Sequence, residues 1–290
     1  MKFGYVVNLL MGNYSEVKDL AIKAEDAGFD SVHINDHFMM GNSPLLEAGM
    51  LAAALAIETH KVKIGHVVLC NSYRNPALLA KMISTLDNIS NGRALMWLGA
   101  GWLKNEYLGY GYPFPTPKRR VDELEESLKI YKKAFTEDVF SFNGQFWKLK
   151  RMKSYPKPIQ KPYPQIVLGT NGTRMTDIAC RETDGINLPP PLKIEELPKR
   201  IPFILEKLKE YNRNPSDFEI SLSISVKMVK NQEELDKLNE EKLKNGFNGF
   251  PEDIKEKIAF VEDLGVKKLV FAFEPSELED PFSVFSKKVM

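Results

Sequence analysis

Short apolar runs of strand length alternate with stretches of helical periodicity almost from one end of the chain to the other. Few architectures tolerate that pattern. A strand whose two faces are both covered by helices reads as a continuous apolar run, and such strands belong to parallel sheets. Eight runs qualify, at residues 3–7, 31–34, 62–69, 94–98, 166–168, 184–187, 218–229 and 268–273. Between them lie helical faces. Val17, Leu20, Ala21 and Ala24 follow Ser15 as the expected N-cap and precede Gly28; Leu79, Met82, Ile83 and Leu86 follow Asn75-Pro76; Leu124, Leu128, Tyr131 and Phe135 form a third face. Further helices are expected from Arg174, over 195–211 and over 254–264. Residues 25–34 and 262–271 echo one another as helix end, glycine cap and buried strand.

Eight such units predict a (β/α)₈ TIM barrel. A doubly wound open sheet would carry a glycine-rich turn after its first strand, and Asn8-Leu9-Leu10-Met11-Gly12 is not that turn. The beat breaks at 138–165. There a β-hairpin around Asn143-Gly144 and a proline-rich crossing are expected as insertions in one domain covering 1–290.

The chain has 290 residues, with 40 Lys plus Arg against 39 Asp plus Glu. That balance leaves no footprint for nucleic acid or an acidic membrane. No run approaches the roughly 18 apolar residues of a membrane span, and the N-terminus lacks a signal-peptide pattern. Two cysteines, Cys70 and Cys180, make neither a disulfide framework nor a thiolate zinc site, which suits a reducing cytoplasm. His33, His37, His60 and His66 lack ligand spacing, so no metal is expected.

In a barrel the chemistry sits at the C-terminal strand ends. Strand two ends in Asp36-His37, able to supply an acid or base, or merely a loop cap beside a half-buried imidazole. Strand three runs into Cys70-Asn71-Ser72-Tyr73-Arg74, whose donors, ring and cation suit a polar ligand. Strand four ends in Gly99-Ala100-Gly101-Trp102, with Asn105, Glu106 and Tyr107 behind; glycines there admit a flat ligand or a tight turn. Strand five ends in Gly169-Thr170-Asn171-Gly172-Thr173, a phosphate cradle opening a helix. Asp36, Glu106 and Glu274 leave a glycosidase open on composition alone.

The stretches AEDAGFDSVHINDHF, YRNPALLAKMISTLDNISNGRALMWLGAGW with NEY behind it, PFPTPKRRVDELEESLKI and PKPIQKPYPQIVLGTNGTR run in order from about residue 20 to 190. Together they resemble the luciferase-like monooxygenase superfamily, particularly its branch dependent on coenzyme F420. The resemblance implies a (β/α)₈ barrel with insertions and hydride transfer between the deazaflavin C5 and a small organic substrate. It implies a proton role for Asp36 and His37 and a non-proline cis peptide at Val67-Val68. Ring-tail contacts would come from Gly99, Gly101, Trp102 and Asn105, and a phosphate loop from Gly169, Thr170, Asn171, Gly172 and Thr173. The alternatives are an FMN-dependent monooxygenase or a flavin-binding protein without turnover. A homodimer acting on a small molecule, with no nucleic-acid or membrane partner, is expected. Three residues depart from the family pattern. Thr170 and Asn171 stand where relatives carry more glycine, Trp102 where sugar-phosphate dehydrogenases carry glutamate, and His66 where a small hydroxyl is commoner.

Overall fold

The computed structural model describes all residues except 8–11, 240–241 and 244–245. The segment used above against a dinucleotide turn therefore lies outside the described residues. Strands β1 (Lys2–Val6), β2 (Ser31–Ile34), β3 (Lys63–His66), β4 (Leu69–Cys70), β5 (Met96–Gly99), β8 (Ile166–Gly169), β9 (Gly185–Leu188), β10 (Glu219–Met228) and β12 (Lys268–Phe273) pair in parallel. Their order is β3-β2-β1-β12-β10-β9-β8-β5-β4. The ends meet through a parallel bridge between Ile64 and Ala94, which closes the sheet into a barrel. The expected third strand is thus one barrel position cut in two, β3 and β4, by Val67-Val68, whose peptide is cis. A short β11 (Phe247–Gly249) pairs with β10, and β6 (Phe140–Asn143) with β7 (Lys148–Met152) makes the expected hairpin, which pairs only with itself.

Alternation along the strands sorts side chains to two sides, as a two-residue period requires. Val6, Leu95, Trp97, Val167 and Val270 form a cluster of their own that fills the barrel, with the His33 ring packed on Trp97. Neighbours such as Val32, Met96 and Leu269 turn outward into the larger core beneath the helices. Those helices are α1 (Tyr14–Asp26), α2 (Ala48–Glu58), α3 (Pro76–Ile89), α4 (Lys104–Gly109), α5 (Pro117–Thr136), α6 (Thr173–Glu182), α7 (Leu197–Glu210), α8 (Gln232–Asp236), α9 (Pro251–Asp263) and α10 (Pro281–Lys288). Asn13, not Ser15, caps α1 by accepting from the Ser15 N–H. Gly28 then turns with φ of +89°, a conformation costly for other residues.

Helix α2 escapes the periodicity argument altogether. Its sequence AGMLAAALAIE is apolar on every side, so no 3.6-residue stripe marks it. The closure beside it depends on Arg93. Its backbone carbonyl accepts from Ile64 N at 2.9 Å, and its guanidinium donates to Ala56 O, Thr59 O, Val62 O and Thr59 Oγ1 while Nε reaches Ser90 O. One side chain thereby satisfies the end of α2, the loop into β3 and the end of α3. We expect Arg93→Met to lower unfolding free energy by about 2–4 kcal/mol, since several partly buried carbonyls lose their donor. Urea unfolding followed by circular dichroism measures this, and a change below about 0.5 kcal/mol would show that water replaces the clip.

Candidate active site

A cavity of about 520 Å³ opens at the C-terminal ends of β2, β4, β5, β8 and β9. Of the residues singled out from sequence, it gathers Asp36, His37, Val67, Val68, Gly99, Gly101, Trp102, Gly169 and Thr170. Asn105, Asn171, Gly172 and Thr173 do not line it. Asn105 lies exposed in the first turn of α4, and Asn171 instead donates to Pro189 O at 2.7 Å, fastening two cavity loops together.

His37 and Asp36 have different surroundings. The His37 Nδ1 lies 3.1 Å from Glu106 Oε2, and Nε2 has no hydrogen-bond partner among the described residues. Glu106 is 1% exposed and accepts further bonds from Tyr73 OH at 2.6 Å, Met39 N at 2.9 Å and Phe38 N. Burial pushes its pKa up, but the bonds from Tyr73, Met39, His37 and Phe38 outweigh that and hold it below the ordinary carboxylate value. An ionised Glu106 holds the proton on Nδ1 and leaves Nε2 as the basic atom of the neutral ring. Burial, then the bond to Glu106, pushes the Tyr73 hydroxyl far up, so it remains a donor.

Asp36 is clamped. Arg74 donates to its two oxygens at 2.7 and 2.9 Å, and Cys70 N donates at 2.8 Å. The same guanidinium reaches Glu47 Oε1 at 2.7 Å. A bidentate pair of this kind fixes orientation. The pair ties the loop after β2 to the turn after β4. Arg74, expected as a cation for a ligand, pairs with the protein's own Asp36 and Glu47.

The glycines also have internal reasons. A Cβ on Gly99 or Gly169 would meet the Val68 side chain at 2.7 Å, so Val68 occupies the notch between them. A Cβ on Gly101, where φ is +79°, would meet Tyr107 Oη at 1.9 Å and Cys70 Sγ at 2.7 Å. The missing side chains therefore let Val68, Tyr107 and Cys70 pack close to these backbones, which still line the cavity. The helix α6 begins at Thr173 behind a glycine that makes no side-chain cap, so its first N–H groups keep no intrahelical partner. Arg174 turns away to Glu125 and Asp122. Sequence reading had no signal for Met175, Asn187 or Pro189–Pro191 as lining; they arrive from β9 and α6 through the closure of the barrel. Glu274 pairs with Lys242 at 2.9 Å and lies outside the cavity, and Asp36 and Glu106 are both engaged. No opposed pair of free carboxylates for glycoside cleavage is present among the described residues. No group of metal-ligating side chains occurs among them either.

The family model described as luciferase-like monooxygenase matches residues 1–263. The chain belongs to this family. Among curated relatives of this luciferase-like chain, a protein of Amycolatopsis mediterranei (strain U-32) named F420-dependent glucose-6-phosphate dehydrogenase is 32% identical over 191 residues, covering 64% of the chain and 56% of the relative. A Pseudomonas putida protein named FMNH(2)-dependent dimethylsulfone monooxygenase is 31% identical over 169 residues, covering 58% and 46%. The chain thus spans about half the length of the curated relatives it matches. An F420-dependent secondary alcohol dehydrogenase, solved with an F420-acetone adduct, superposes with a TM-score of 0.88 at 21% identity, covering 100% and 99%. The coenzyme F420 dependent tetrahydromethanopterin reductase of Methanopyrus kandleri gives 0.84 at 18% identity, covering 99% and 98%. At such identities these two establish the shared barrel.

Cys70 lines the cavity, yet burial pushes its thiol up to about 11 despite the bond from Tyr107. At pH 8 only about one Cys70 in a thousand is then the reactive thiolate. We expect iodoacetamide to leave Cys70 unlabelled in the native protein at pH 8 and to label it fully in urea, as read by peptide mass spectrometry. Rapid native labelling would mean that the thiol is activated in place.

Proposed function

We propose that the protein is a coenzyme F420-dependent oxidoreductase acting on a small organic substrate. The observation that carries this reading is His37, held through Nδ1 by the buried Glu106 and facing an apolar cavity with Nε2 free. Relatives named as F420-dependent enzymes support it. The cavity has a volume that suits a planar cofactor. Val67, Val68, Gly99 and Gly169 would support the ring, while Thr170 and the unpaired N–H groups opening α6 would take a phosphate. Bound there, a deazaflavin supplies a two-electron hydride donor or acceptor at C5. His37 Nε2 takes the proton from the substrate oxygen or returns it, and Glu106 keeps the imidazole oriented and stabilises its charged form. Asp36, Arg74 and Glu47 hold the loop that carries His37.

A second reading, monooxygenation with reduced FMN, is favoured by the relative named as FMNH(2)-dependent. Titrating apoprotein with each cofactor and following fluorescence quenching decides between them. F420 is expected to bind at least about tenfold more tightly, and equal or reversed affinities move the assignment to FMN. His37→Ala should lower turnover by about 10²- to 10⁴-fold with little change in cofactor affinity, as loss of a general acid–base group requires. Near-normal turnover would leave His37 as an ordinary strand-end histidine.

We also propose a homodimer in the cytoplasm. No described helix is long and apolar enough to cross a membrane, and both cysteines are free. Met50 and Ile57 on α2 are 75% and 67% exposed, with Leu78 and Ile89 of α3 open beside them. An apolar helix left open on one face suits burial against another copy. Sedimentation should give a dimer, and Ile57→Lys with Leu78→Lys a folded monomer. A monomeric wild type would refute this.

A further inference from the structure

We propose that Trp102 and the proline segment Pro189–Pro191 wall a subsite over His37 for an uncharged alcohol or carbonyl compound with an apolar body. The proposal deepens the reading above and rests on it, since a hydride carrier must occupy the floor of the same cavity.

The charged side chains that line the cavity are already paired. Asp36 takes two nitrogens of Arg74, and Glu106 takes bonds from Tyr73, His37 and two backbone N–H groups. Among the described residues no lysine or arginine lines the space. A phosphate or carboxylate on the substrate would lose its hydration beside His37 and meet no cation among the described lining residues. His37 Nε2 has no hydrogen-bond partner among the described residues, and it suits one neutral hydroxyl or carbonyl oxygen.

The wall for the carbon body stands beside it. Trp102 lies edge-on to His37, with ring centroids 6.0 Å apart and planes at 87°. It lines the cavity and yet remains 68% exposed, so the protein leaves most of the indole uncovered. Pro190 and Pro191 are also exposed at the rim. An uncovered indole and proline rings supply apolar contact without demanding a hydrogen bond from the ligand's body. The expected placement of Trp102 against the cofactor is replaced by one against the substrate. In the oxidation, the hydride leaves the carbinol carbon for the oxidised deazaflavin and the hydroxyl proton goes to His37 Nε2. The C=O bond of the ketone or aldehyde forms, and reduction reverses each transfer.

The test uses protein loaded with whichever cofactor, F420 or FMN, the titration above selects. Cyclohexanone and glucose 6-phosphate are titrated against tryptophan fluorescence, and with F420 the turnover of cyclohexanol and glucose 6-phosphate is compared. We expect saturable binding of cyclohexanone and a kcat/KM favouring cyclohexanol by about 100-fold or more. Trp102→Ala should weaken cyclohexanone binding about tenfold and leave the cofactor dissociation constant within about twofold. Trp102→Phe should recover most of the loss, which a folding defect would not. A preference for glucose 6-phosphate overturns the inference while leaving F420 dependence standing. A parallel fall in cofactor affinity in Trp102→Ala overturns it by making Trp102 a cofactor contact. A protein that loads neither cofactor overturns both readings.

Discussion

One buried carboxylate organises the mouth of this barrel. Glu106 sits on the short helix after β5, and its two oxygens collect His37 Nδ1, the N–H groups of Phe38 and Met39, and the Tyr73 hydroxyl. Those donors come from the loop after β2 and the turn after β4, so three separate βα connections converge on a single side chain. A buried carboxylate is tolerable only when its lone pairs are filled. Here the requirement runs both ways, since two N–H groups of the loop after β2 donate to the same Glu106 oxygen. The rings of Phe38, Tyr73, Tyr107 and Tyr112 pack against one another beside the same point. The orientation of His37 is therefore tied to satisfying Glu106.

The second ionic knot explains the chemistry of the empty space. Arg74 has one guanidinium and serves two carboxylates, Asp36 and Glu47, with its own side chain 8% exposed. Burial works against its charge, yet the bonds and charges of Asp36 and Glu47 raise its pKa further above the ordinary value. The Arg74 cation is paired with these two side chains. Valines, glycines, prolines and Trp102 line much of the cavity, beside the His37 imidazole and Thr170. Specificity in such a cavity comes from shape and from what it fails to neutralise.

Much of this could be read in advance. The eight apolar runs, the hairpin at Asn143-Gly144 and the glycine stop at Gly28 follow from local chemistry, because a covered parallel strand and a helix end each leave a signature in a few consecutive residues. Asp36-His37, Gly99 and Gly169 were legible as strand-end residues for the same reason. The helix α2 was not. Its apolar residues go all the way round, and a sequence carries no phase when every position is hydrophobic. Roles were harder than positions. Asp36 was legible as a strand-end acid, but its pairing with Arg74 was not; Gly101 was legible as a turn, but the Tyr107 hydroxyl and Cys70 sulfur beside it were not.

The sequence by itself determined the period of most elements, several of their ends, and the barrel that eight such units imply. Those are short-range properties, set by backbone sterics and by which faces can be dry. Tertiary structure alone decided the pairings: His37 with Glu106 across 69 positions, Arg74 with Asp36 across 38, and Val68 into the notch between Gly99 and Gly169. A charged or polar side chain takes its function from the partner that uses up its hydrogen bonds. In a barrel that partner comes from a different strand end, at a distance along the chain that no local pattern encodes.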